Sequence, residues 1–199
     1  MPSLSNILQK KLISSQFIGR NIFLRTPQFS DFDDWSELRS ESRNFLEPWE
    51  PKWSKNSLTR SDYRRRITKY EHDIRYERNI PFYIFILETK ILVGGISLSN
   101  INRGITQSCT LGYWIGEKFA GQGLMTEAVA VVTDVVFNVL KLHRLEAACI
   151  PENIASKSVL KKVGFTEEGY ARKYLQINGE WRDHNLFAVL SSDKYMKVK

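Results

Sequence analysis

The sequence predicts one α/β (α+β) domain: a twisted, mixed and mostly antiparallel sheet flanked by helices, in the order β-α-α-β-β-β-α-β-α-β-β. Three observations predict it. Three apolar runs between Phe82 and Ile115 follow one another across short turns, as in an antiparallel meander. The turn Gly121-Gln122-Gly123 opens a long apolar segment, and Asn178-Gly179 divides two strand-like runs. With 199 residues, 42% of them apolar, the chain can bury one substantial core.

Met1 to Ile18 mixes Leu and Ile with Lys, Ser and Gln in no sustained pattern, so residues 1–18 are expected to form an arm before a domain spanning 19–199. Ile22 and Leu24 alternate with Asn21, Phe23 and Arg25 up to Pro27 and predict the first strand. Ser30-Asp31-Phe32-Asp33 carries an N-cap residue and early acids, and the helix it starts should end before Pro48. Asn56 to Arg78 lacks Gly and Pro and places Tyr63, Ile67, Tyr70 and Ile74 at helical spacing. Phe82 to Leu87, Ile91 to Leu98 and Thr106 to Ile115 are then the meander.

Gly121 to Lys141 is the ambiguous segment, because β-branched residues crowd Val129 to Val139. Its polar positions decide for a helix, since Glu127, Asp134, Asn138 and Lys141 recur on one stripe. Leu145 to Ile150 predicts a short strand, and Asn153 to Val163 a helix closed by Gly164. Tyr174 to Ile177 and Trp181 to Leu190 form the last hairpin around Asn178-Gly179.

The formal net charge of +7 favours an acidic partner such as a nucleic acid, a ribosome or an anionic cofactor. Its one dense run, Arg64-Arg65-Arg66, reads as a solvated helix face, with no interleaved aromatics for stacking nucleobases. Cys109 and Cys149 lack the spacing of metal ligands or a redox pair and read as reduced core residues; no metal site is expected. No apolar stretch reaches membrane-span length and no secretory h-region opens the chain, so the expected location is the cytoplasm.

The chemistry concentrates where a strand ending in Tyr113-Trp114-Ile115 leads through Lys118 and Gly121-Gln122-Gly123 into Leu124 and Met125. Successive free amides in such a turn make a nest for a pyrophosphate, and the helix N-terminus adds partial positive charge. Glycines let phosphate oxygens approach the backbone without meeting a Cβ. The spacing matches neither a dinucleotide fingerprint nor a Walker loop.

Lys118-Phe119-Ala120-Gly121-Gln122-Gly123 resembles the coenzyme A pyrophosphate motif of the GNAT N-acetyltransferase family. Asn153-Ile154-Ala155-Ser156, with Leu160 and Gly164-Phe165, resembles its second motif. The resemblance spans roughly Asn21 to Leu190. Within the family it is closest to the ribosomal-protein-alanine N-acetyltransferases, through Asn44 to Pro51, Glu168-Gly169-Tyr170-Ala171, and Asn178 to His184.

The resemblance implies a GNAT-like fold and acetyl-CoA as co-substrate. It implies cofactor contacts at Trp114, Ile115, Lys118, Gly121, Gln122, Gly123, Leu124, Met125, Asn153 and Ser156. It also implies that the strand near Tyr113 splays from its neighbour to grip the pantetheine arm, and that an amine attacks the thioester directly. The family's tyrosine acid falls on Leu160 here, which leaves Ser156 as the candidate catalytic acid. Ser156 is equally suited to satisfying the helix N-terminus or a coenzyme A amide.

No strand carboxylate stands where the family base is expected. A weak base suffices for an α-amino group, of which about a tenth is neutral at pH 7 against roughly 0.04% of a lysine. Glu47 and Glu50, flanking Pro48 and Trp49, are expected to bind or deprotonate the incoming amine, and Trp49, Tyr113 and Asp183 are the further expected acceptor contacts. The implied partner is the N-terminus of a ribosomal protein, with possible ribosome association. A small amine, or an acyl-CoA-binding ribosome-assembly role without turnover, remains open.

Overall fold

The computed structural model describes residues 12–198. A single eight-stranded sheet runs in the order β1-β2-β3-β4-β5-β6-β8-β7. Its strands are β1 (Phe17–Ile18), β2 (Ile22–Arg25), β3 (Asn79–Ile86), β4 (Leu92–Asn102), β5 (Ser108–Ile115), β6 (Arg144–Cys149), β7 (Thr166–Ile177) and β8 (Glu180–Leu190). Every pairing is antiparallel except β5 with β6. The helices are α1 (Phe32–Glu41), α2 (Arg43–Leu46), α3 (Arg60–Arg75), α4 (Leu124–Asp134) and α5 (Ile154–Val163).

Strand alternation divides the apolar side chains between two faces. In β3, Phe82 and Ile84 join the main core with α4, whereas Tyr83 and Phe85 join a second cluster with Trp35 and Leu38 of α1 and Tyr63 and Ile67 of α3. α4 is buried around most of its circumference, as its composition predicts. Its expected continuation to Lys141 is a π-helical turn, Val135–Val139, marked by the Leu140 amide donating to the Val135 carbonyl at 2.9 Å.

Three expectations change. Of the expected arm, residues 1–11 lie outside the described residues, but residues 12–18 belong to the domain. Leu12 is fully buried, and Phe17 meets Phe82 edge-on at 5.5 Å. Short apolar stretches without periodicity still gain from burial when the sheet edge offers an apolar surface. The single helix expected before Pro48 is broken at buried Ser42, whose Oγ accepts the Glu117 amide at 2.9 Å. The helix expected over 56–78 is shorter. Thr59 caps it by accepting the Asp62 amide, and Glu77 at φ 51° ends it.

Candidate acyl-transfer site

Parallel pairing between β5 and β6 covers only Ser108–Leu111 against Arg144–Ala147. Beyond Leu111 the two strands part, while β5 stays paired to β4 as far as Ile115. The Gly116 amide donates to the Val93 carbonyl at 2.9 Å, which sets the alternation. Backbone groups of Gly112 and Trp114 therefore face β4, and those of Tyr113 and Ile115 face the open edge. An exposed strand edge of this kind offers donors and acceptors to an amide-bearing ligand.

At one end of the gap lies the glycine turn. Gly121 and Gly123 have φ of 76° and 81°, a conformation that Cβ-bearing residues adopt at a cost. A Cβ built on either meets no atom within 4 Å, so the space over the turn is open. Among the described residues, no acceptor is recorded for the amides of Gly121, Gln122 and Gly123. The N-terminus of α4 adds its own free amides and dipole there. Such a cradle fits the pyrophosphate of coenzyme A. The Lys118 ammonium pairs with Glu41 at 2.9 Å, and its carbonyl accepts from Gln122 Nε2 at 3.0 Å.

On the α4 side of the gap, Tyr113 and Ser156 meet. The Tyr113 hydroxyl lies 2.8 Å from Ser156 Oγ and 3.3 Å from the Ser156 carbonyl. Asn153 caps α5 by accepting the Ser156 amide at 2.9 Å, so the Ser156 hydroxyl is not needed for that task. Burial pushes the Tyr113 hydroxyl well above the usual tyrosine range, with the Ser156 hydrogen bond acting against it. It remains a proton carrier throughout the neutral range. Burial also raises the Cys149 thiol, and it pushes the Cys109 thiol up to about 12; both are buried and free, as expected of core residues.

The opposite face of β5 opens on a pocket of about 530 Å³. Trp35 and Arg39 of α1, Arg66 and Tyr70 of α3, Tyr83 of β3 and Trp114 contribute walls, and the pocket reaches β5 at Gly112 and Tyr113. Arg39 is stacked, 4.3 Å from the Trp53 ring centre and 4.7 Å from that of Trp114. Glu50 holds it in place, accepting from the two terminal guanidinium nitrogens, Nη1 and Nη2, and, at 2.8 Å, from Trp53 Nε1. The β7–β8 turn docks on the same loop, where the Asn178 amide donates to the Glu50 carbonyl at 2.8 Å.

The predicted site residues divide accordingly. Ser156, Asn153, Ile115, Gly121, Gln122 and Gly123 border the gap, with Leu124 and Met125 offering amides while their side chains fill the core. Trp114 turns its ring to the pocket of Arg39 and Arg66, because alternation sends it away from Tyr113. Glu47 pairs with Arg43 at 2.8 Å, and neither Glu47 nor Trp49 lines the pocket, where Glu50 and Trp53 do. Asp183 accepts from the Tyr170 hydroxyl and the Lys173 amide on the last hairpin, away from the pocket lining.

Arg39, Tyr83 and Trp53 were not singled out from sequence, and Arg66, expected with Arg64 and Arg65 on a solvated helix face, is instead half-buried on the pocket wall because α3 turns that side to Trp35. They converge from four segments, and the only local sign was arginine near aromatic residues. Among the described residues no group of three or more His, Cys, Asp or Glu could hold a metal ion. No described helix is long and apolar enough to cross a membrane.

Residues 21–166 match the acetyltransferase (GNAT) domain family. The chain is 39% identical over 175 residues to the probable N-acetyltransferase YjcK of Bacillus subtilis (strain 168), covering 88% of this chain and 97% of that protein. It is 32% identical over 191 residues to the ribosomal protein uS5-alanine N-acetyltransferase of Escherichia coli (strain K12), covering 95% of each. Its structure is similar to Mycobacterium smegmatis RimJ in complex with CoA-disulfide, with a TM-score of 0.82, 33% identity, and coverage of 87% of this chain and 85% of that one.

Proposed function

The chain belongs to the GNAT family of acetyltransferases, and from that premise we propose that it acetylates the N-terminal alanine of a ribosomal protein, using acetyl-CoA. The observation that carries the reading is the placement of Tyr113. Its backbone faces the open edge of β5, its hydroxyl meets Ser156, and the acceptor pocket reaches it from the other face of the sheet.

Acetyl-CoA supplies an activated acyl group on a good leaving sulfur. The glycine turn and the start of α4 hold its phosphates without any basic side chain. The Tyr113 and Ile115 amides on the open edge are placed to receive the pantetheine arm and to polarise the thioester oxygen. One preorganised donor of that kind is worth about 3 kcal/mol in a transition state. As the C–N bond forms and the C–S bond breaks, Ser156 gives a proton to the departing sulfur and recovers one from the attacking nitrogen, which turns acidic once bonded to the acyl carbon, while the Tyr113 hydroxyl holds Ser156 in position.

The acceptor amine must arrive neutral. An α-amino group titrates near 8 in ordinary peptides, and the pocket carries three cationic side chains, Arg39, Lys52 and Arg66, against the carboxylates of Glu50 and Asp62. A positive surrounding lowers the amine's proton affinity further. No strong base is then required, in keeping with the absence of any carboxylate hydrogen-bonded to Tyr113 or Ser156 among the described residues. The relative from Escherichia coli named as a ribosomal protein uS5-alanine N-acetyltransferase supports alanine as the acceptor residue and the cytoplasm as the place of action.

The test is thiol release with an alanine-initiated ribosomal peptide and with its N-terminally blocked, lysine-containing twin. The α-amino peptide should turn over faster. Preference for the blocked peptide, or for small polyamine or aminoglycoside acceptors, would sink the proposal.

A further inference from the structure

Both carboxylates that line the acceptor pocket already have partners. Glu50 is held by Arg39 and Trp53, and Asp62 pairs with Arg65 at 2.8 Å. Arg66, the next residue on α3, is different. Its ring partner is Trp35 at 5.3 Å, and its one recorded hydrogen bond is a long contact of 3.4 Å to the Tyr70 hydroxyl. Among the described residues it forms no ion pair, and its Nε is buried without an acceptor.

Arg66 is half-buried with its Nε enclosed, and the hydroxyls of Tyr70 and Tyr83 and the more distant Asp62 support its charge without forming an ion pair with it. A ligand can supply the missing anion. Arg66 is also held in place, its guanidinium 5.3 Å from the Trp35 ring centre and its Nη1 against the Tyr70 hydroxyl, so a carboxylate entering the pocket meets a preset planar cation. Lys52 stands on the same pocket lining, exposed, so the unmatched charge there is cationic.

We propose that Arg66 is a carboxylate subsite of the acceptor pocket, selecting N-termini in which an aspartate or glutamate follows the acetylated residue within the first few positions. The inference rests on reading this pocket as the seat of a peptide N-terminus. The pocket connects Arg66 with Tyr113, and an extended peptide advances about 3.3 Å per residue, so a side chain a few residues behind the amine is the group that can span them. The chain's overall charge of +7 agrees with an acidic acceptor segment.

The experiment compares alanine-initiated peptides carrying a single Asp at the second, third or fourth position with their Asn twins. The unmodified protein should show kcat/KM about tenfold higher for the best Asp peptide than for its twin, the size expected of one desolvated charge pair. In Arg66→Gln this ratio should collapse towards one, and Arg66→Lys should restore part of it. Raising ionic strength should lower the ratio on the unmodified protein, a reading that needs no variant to fold. A ratio near one on the unmodified protein, or a ratio unchanged in a folded Arg66→Gln, overturns the subsite and leaves the N-terminal acceptor reading intact. Failure to acetylate any peptide overturns both.

Discussion

The Tyr113 hydroxyl and Ser156 Oγ lie 2.8 Å apart across the place where β5 and β6 separate. Residues 43 positions apart in the chain thus share one proton-carrying contact. Ser156→Ala should lower kcat about a hundredfold, the lower range for loss of a general acid, while changing coenzyme A affinity much less. Tyr113→Phe should give a smaller loss, and the double variant should be little worse than Ser156→Ala alone. Steady-state kinetics with calorimetry on coenzyme A checks this. Equal losses in turnover and affinity would recast Ser156 as a cofactor-binding residue.

Gly123→Val should abolish detectable coenzyme A binding in calorimetry. The substituted residue would have to hold φ near 81°, costing about 1–2 kcal/mol, and its branched side chain would occupy the open space over the turn. A thermal melt should show the variant folded, with a modest loss of stability. Unchanged affinity would rule out the phosphate cradle.

Asn178 and Glu50 tie the last hairpin to the acceptor loop through a backbone hydrogen bond. The turn depends on Asn178 and Gly179, at φ of 47° and 87°. Gly179→Val should therefore loosen the loop that carries Glu50 and Trp53. KM for the peptide acceptor is expected to rise severalfold, with affinity for coenzyme A unchanged. A parallel fall in coenzyme A affinity would show that the hairpin acts on the whole site.

Burial raises the hydroxyls of Tyr63, Tyr83 and Tyr113 above the ordinary tyrosine value of 10.0. A group whose folded pKa is raised contributes stability that is complete below its unfolded pKa and is lost as pH rises through the folded one. The buried thiols of Cys109 and Cys149 are raised as well, so stability should begin to fall above about pH 9 and fall more steeply above about 10 as the tyrosines join, with a slope of about 1.4 kcal/mol per pH unit for each group. Tyr113→Phe should make that fall shallower. Melts across pH 8 to 11 test it, and an equal slope in the variant would remove Tyr113 from the account.

The regular elements were legible where local chemistry is strong. Asn178-Gly179 forms the expected hairpin, Asn153 caps its helix, and Gly164 closes it at φ 113°. The helical stripe of Glu127 and Asp134 overruled the β-branched residues of α4 because burial on nearly all sides tolerates them. Residues 12–18 join the fold without a sequence signal, because an edge strand of two residues has no periodicity to detect. Ser42 broke a helix for a reason 75 positions away, the Glu117 amide.

By itself, the sequence determined the element order, the phosphate-turn candidate and the GNAT resemblance, since each depends on residues close together in the chain. Only the tertiary structure decided that β5 leaves β6 after Leu111, that Tyr113 stands against Ser156, and that Arg66 lies among aromatic rings with no ion pair among the described residues. Those facts depend on which face of a strand a side chain takes and on what another segment brings beside it. Alternation sends Tyr113 and Trp114 to opposite sides of one sheet, and long-range packing then sets Ser156 on one side and the pocket of Arg39 and Arg66 on the other.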